Sequence, residues 1–135
     1  MNVGRFVGAA IGVGIVRTLL NYLFYGVLTH EQWEQLSSAH PGMFREVIPA
    51  FITLDFLVAL VFVYLFVKVG AALGGGVKGG VCLGLFVAVL SPVAGDLYQF
   101  FSVTFLSQGM IVKDILFQLG SHVIQGVVAA KIYKS

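Results

Sequence analysis

The sequence predicts an all-α membrane protein, a bundle of four transmembrane helices with both termini cytoplasmic. Three observations lead there. Of the 135 residues, 59% are hydrophobic and only 10% charged, where a soluble domain carries about 25% charged residues. Mean hydropathy is +0.97. Four apolar runs are each long enough to cross about 30 Å of hydrocarbon as a helix. Backbone in lipid must satisfy its own hydrogen bonds, and no barrel-type alternation is present, so the runs are read as helices. The length suits one domain over residues 1–135, with no soluble portion to carry a separate activity.

The first span is expected over Phe6–Leu28. Arg5 followed by FVGAAIGVGIV resembles a signal peptide, but no A-x-A-like cleavage site follows and the apolar character resumes after Arg17, so it is read as a retained span. A polar loop, THEQWEQLSSAHPGMFREV, comes next. Its Glu31–Leu36 stretch is expected to form a short interfacial helix anchored by Trp33, before Pro41 and Gly42 turn the chain back. His30 and Glu34 are one turn apart and His40 follows, but three such residues in a solvated loop are a weak metal signal and no metal site is assigned.

The second span is expected over Ile48–Val69. The third, Val77–Phe105, is overlong and interrupted by Pro92, which frees the carbonyl of Ala88 and permits a kink one turn before Asp96. The fourth is expected over Ile111–Ile132. With an even number of spans, Arg5, Lys68, Lys78, Lys131 and Lys134 share one side, whereas Arg45 and Lys113 lie opposite with Glu31, Glu34, Glu46 and Asp114. The positive-inside rule puts the former side in the cytoplasm. A bacterial inner (plasma) membrane is the expected setting.

Glycines recur at four-residue spacing, as Gly4, Gly8 and Gly12 in the first span and as Gly76, Gly80 and Gly84 in the third. Such spacing lets helix backbones approach closely, so the first and third spans are expected to pack together. Arg17 and Asn21 lie on the opposite face of the first span. One helix with two protein-seeking faces suggests a homo-oligomer or a subunit of a larger membrane complex.

Arg17, Asp55, Asp96 and His122 all fall inside spans, where each central charge costs about 2.5–3.5 kcal/mol if it faces lipid. Counted from the outer ends of their spans, Arg17 and His122 lie roughly 16 Å deep. Asn21, Asp55, Asp96 and Gln118 lie at roughly 10–14 Å. On the fourth span Asp114, Gln118, Ser121, His122 and Gln125 occupy a sector of about 100°, a polar stripe that must face protein or water. The expected binding layer is therefore Arg17, Asn21, Asp55, Asp96, Gln118 and His122. Arg17 against two aspartates leaves one negative charge if His122 is neutral, which a proton or a small cation would cancel. The bland alternative is a static Arg–Asp pair that fixes helix register.

Several classes are excluded. Net charge is +2, with no basic run to follow a nucleic-acid backbone. The single cysteine, Cys82, rules out an internal disulfide or a CxxC site. No nucleophile–base pair marks a catalytic residue, and no cofactor is expected.

The four-span plan, the YGVL preceding a Trp-containing loop, and GGGVKGGVCLG at the start of the third span resemble a family of small bacterial membrane proteins of unknown function. The resemblance implies a four-helix membrane fold and no activity. Small multidrug exporters are similar in size but use a glutamate in the first span, where this chain has Arg17. Glutathione-using membrane enzymes carry an Arg-x-x-x-Asn motif that Arg17–Asn21 resembles, but in their second span and with flanking glutamates. Quinone-linked thiol oxidoreductases need cysteine pairs. The resulting expectation is binding or translocation of a proton or small cation, with a non-catalytic accessory subunit or assembly factor as the alternative.

Overall fold

The computed structural model describes residues 1–45 and 47–134. Glu46, counted above among the loop charges, lies outside the described residues. Within them the chain is helical and has no strand. Four helices are long and apolar enough to cross a membrane: Val3–Leu28, Ile48–Val69, Gly76–Ser102 and Gln108–Tyr133.

Their ends have local causes. The Asn2 side chain accepts from the Arg5 N–H and opens the first span, and Ser107 accepts from the Met110 N–H at the start of the fourth, each satisfying a free amide of the first turn. Pro49 sits in the first turn of the second span, where its missing N–H costs nothing. The third span stops at Ser102, three residues before the expected Phe105, because Val103 turns to extended backbone.

Two spans contain wide π-type turns. In the third span the turn covers Val89–Val93 around Pro92, as expected where a proline removes one hydrogen bond and crowds the carbonyl before it. The first span has another over Tyr22–Leu28, closed where the Thr29 N–H and hydroxyl both donate to the Phe24 carbonyl, each at 2.8 Å. Beyond it the loop helix runs His30–Ala39, longer than the expected Glu31–Leu36. Trp33 meets Tyr25 and Phe44 edge-on, and Phe24 stacks on Phe117 with ring centroids 4.1 Å apart. Aromatic rings thus tie the loop helix to the ends of the first and fourth spans.

The first span packs on the second and the fourth, and the fourth packs on the third, so the order across the bundle is second, first, fourth, third. Ala9, Val13, Ala59, Phe62, Val63 and Ala129 form a buried core towards the termini. Both termini lie at that end, where the Arg5 Nη1 donates to the Lys134 carbonyl at 2.6 Å. The outer faces carry exposed apolar side chains such as Ile11, Leu57, Val61, Phe86 and Leu116, the surface that lipid would solvate.

The glycine ladders meet a different partner from the one expected. Gly80 lies backbone to backbone with Gly126 of the fourth span, and a Cβ on either would run into the other's carbonyl. A Cβ on Gly84 would strike the His122 carbonyl. Gly12 receives the Ile132 side chain, and a Cβ on Gly8 would lie 3.8 Å from Ile132 Cγ2. Both ladders therefore serve the fourth span, whose smooth Gly126–Ala130 face complements them; the first and third spans do not pack on one another. Gly4 and Gly76 meet no other helix. The glycine face of the first span, expected to seek another subunit, is met at Gly12 by Ile132 and Val128 of the same chain.

Candidate functional site

Two polar clusters occupy the half of the bundle nearer the loop helix. The first is built on Asp55, which is buried in the second span. Arg17 and Asn21 lie one helical turn apart on the first span, so both reach it. Arg17 Nε donates to Asp55 Oδ1 at 2.8 Å, Asn21 Nδ2 to the same oxygen at 2.9 Å, and Thr18 Oγ1 to Oδ2 at 3.2 Å. Three donors and an opposite charge leave this carboxylate fully partnered, which is the condition under which a buried ion pair is tolerated.

His122 joins from the fourth span at 2% exposure. Its Nδ1 lies 2.8 Å from the Gln118 carbonyl. A carbonyl only accepts, so a proton sits on Nδ1, and in the neutral ring Nε2 then carries the lone pair. That lone pair faces Arg17 Nη1 at 3.5 Å, a long contact compared with the Arg17–Asp55 pair.

The second cluster lies closer to the loop helix. Tyr25 donates its hydroxyl to Asp114 Oδ1 and accepts from Gln118 Nε2 at 3.1 Å. Asp96, from the third span, faces the Asp114 carboxyl, and its Oδ2 is buried without any hydrogen-bond partner among the described residues. No Lys or Arg forms an ion pair with either carboxyl among those residues. Carboxylate oxygens only accept, so two facing carboxylates have no bond to share until a proton or cation comes between them. Tyr25 and Asp96 both lie in or just past a π-type turn. Such a turn shifts the angular position of the residues that follow, and recurs at functional sites.

Along the fourth span the polar face continues inward. Ser121 and Gln125 are buried, at 3% and 0% exposure. Gln125 Nε2 donates to Ser121 Oγ at 3.0 Å, while its Oε1 is buried with no partner among the described residues. From Asp114 to Gln125 the face spans about 16 Å.

The structure thus brings together four of the expected site residues, Arg17, Asn21, Asp55 and His122, with Gln118 joined to His122 through its carbonyl and to Tyr25 through its amide. It does not bring Asp96 to Arg17; the kinked third span carries Asp96 to Asp114 instead. Tyr25 and Thr18 were missed. For Tyr25 a signal exists, since Arg17, Asn21 and Tyr25 follow at i, i+4 and i+8 on one helix face. Asp114 was recognised as part of the stripe but not as the partner of Asp96.

In the loop, His30 Nε2 lies 3.8 Å from Glu34 with both side chains exposed, and His40 packs against Phe105 instead of joining them. Among the described residues no three His, Cys, Asp or Glu side chains are grouped to hold a metal. Two open surface depressions lie elsewhere, one an apolar groove lined by Ala10, Phe56 and Leu60, the other beside the loop helix at Leu36 and Ser107.

No protein family model, curated protein or solved structure matches the chain.

Proposed function

We propose that this multi-pass membrane protein takes up a proton or small cation at the Asp96–Asp114 carboxyl pair and passes it along the polar face of the fourth span. One observation carries the reading: Asp96 Oδ2 is buried inside a span with no hydrogen-bond partner among the described residues, and no Lys or Arg among them forms an ion pair with Asp96 or Asp114. A carboxyl at that depth is expensive to ionise without a partner, and such groups persist in membrane proteins where they serve an ion or proton site.

The two clusters divide the work. Arg17, Thr18, Asn21 and Asp55 form a closed, charge-neutral set that fixes the first span against the second. Tyr25 and Gln118 hold Asp114 in place and link it to His122. The distribution of Lys and Arg supports both termini lying in the cytoplasm, and a bacterial inner membrane is the setting we propose.

The test is reconstitution of the full chain in liposomes with an imposed pH or cation gradient. Faster dissipation than in empty liposomes, lost in Asp96→Asn, is the expected result. A parent protein that leaves every gradient intact would refute the proposal and favour a static accessory subunit.

A further inference from the structure

The end of the bundle that carries the termini is positively charged on every span. Arg5 on the first, Lys68 on the second, Lys78 on the third, and Lys131 and Lys134 at the end of the fourth are all exposed there. Among the described residues no Asp or Glu shares that end. Asp55, the nearest along a common helix, is about 20 Å from Lys68. The ion pairs of the described residues, Arg17–Asp55 and His30–Glu34, involve none of these five cations. Like charges gathered without a carboxylate repel one another, and an anion from outside the chain relieves that repulsion.

The surroundings of Lys68 indicate which anion. It lies in the last turn of the second span, and helical side chains lean towards the N-terminus of their helix, here into the membrane. Its ammonium accordingly sits over the Tyr64 ring, 5.5 Å from the centroid, a favourable position for a cation. Tyr64 and Leu65, one turn before it, are exposed, as is Val69 beside it. The charge thus stands among side chains that acyl chains would solvate. On the third span Val77 is exposed beside Lys78, and a Cβ on Gly79 would run into the Gly70 carbonyl, so the second and third spans close together at this end. A free anion in water matches the charge but not the apolar rim, whereas an anionic lipid matches both.

We propose that this end of the bundle binds anionic lipid through its phosphate headgroup. Lys68 and Lys78 form the site at the junction of the second and third spans, and Arg5, Lys131 and Lys134 extend the charge across the other two. The surface lies at the opposite end from the carboxyl pair, so the proposal stands whether or not the protein carries protons. Each basic side chain near an anionic surface contributes about a fivefold gain in affinity. Arg5 also holds the Lys134 carbonyl through its Nη1, so the lysines are the residues to vary.

The experiment titrates the full chain in mild detergent with phosphatidylglycerol, with phosphatidylcholine of the same acyl chains and, separately, with glycerol phosphate. The thermal midpoint is read by circular dichroism. Phosphatidylglycerol is expected to raise the midpoint to a plateau, and the other two to leave it in place. Lys68→Gln/Lys78→Gln removes only exposed charges, so it should fold with the parent's lipid-free midpoint and need about 25-fold more phosphatidylglycerol for half the rise. Lys131→Gln alone should need about fivefold more, and Lys113→Gln, at the loop end, no more than the parent. An equal rise with phosphatidylcholine would overturn recognition of the headgroup. An equal rise with glycerol phosphate would make the ligand a free anion and overturn the lipid assignment. A folded Lys68→Gln/Lys78→Gln protein with the parent's response would overturn the site, and no rise with any of the three would overturn the proposal as a whole.

Discussion

Replacing Arg17 with leucine tests the division between the two clusters. Asp55 is 7% exposed and takes three donors. Removing one partner of a buried ion pair typically costs about 3–5 kcal/mol, because the remaining charge is left uncompensated. Asn21 and Thr18 would still donate to Asp55, and the Arg17 side chain retains 18% exposure, so the lower end applies. Arg17→Leu should therefore lose about 3 kcal/mol, which for a chain of this size lowers the thermal midpoint by about 10 °C. The double variant Arg17→Leu/Asp55→Leu removes both charges together and should recover most of that loss, ending within about 1–2 kcal/mol of the parent. Thermal unfolding of the full chain in mild detergent, followed by circular dichroism, reads both. A single variant with an unchanged midpoint would mean that Arg17 does not pair inside the fold. A double variant that loses as much as the two single variants combined would mean that the cluster does more than pin two helices.

The glycine contacts give a graded test. Gly80→Val forces side-chain atoms into the Gly126 carbonyl, and two apposed backbones have little room to relax, so a loss of about 3 kcal/mol is expected in the same assay. Gly8→Leu, with ordinary space around its Cβ, should change the stability by less than about 1 kcal/mol; the reverse order would contradict the packing. Asp96→Asn replaces an acceptor with a donor facing Asp114, so its stability should equal or exceed the parent's by about 1 kcal/mol. A marked destabilisation there would show that the Asp96 carboxylate has a donor after all.

The fold was largely legible in the sequence, because span length is set by the thickness of the bilayer and spanning backbone must close its own hydrogen bonds. Which helices are neighbours was less so. The ladders at Gly8/Gly12 and Gly80/Gly84 announced close approaches, but their partner was missed: the fourth span carries its own small pair at four-residue spacing, Gly126 and Ala130, whereas Ile132 fills the gap at Gly12 by shape. Depth counting placed Arg17, Asn21, Asp55 and His122 at compatible levels, and they do meet. It failed to separate Asp96 from them, because depth along a span says nothing about direction around it. That direction depends on the π-type turn at Val89–Val93, whose effect on angular register cannot be read from Pro92 alone. The turn over Tyr22–Leu28 contains no proline at all, so it could not be foreseen, although the spacing of Arg17, Asn21 and Tyr25 did place Tyr25 on the polar face.

The most direct test of the account compares proton flux through liposomes carrying Asp96→Asn with flux through those carrying Arg17→Leu/Asp55→Leu, each confirmed to be folded. The account places uptake at Asp96 and Asp114 and treats the Arg17–Asp55 pair as a structural pin. It predicts flux lost in Asp96→Asn and retained in the double variant. Flux retained in Asp96→Asn and lost in the folded double variant would contradict it.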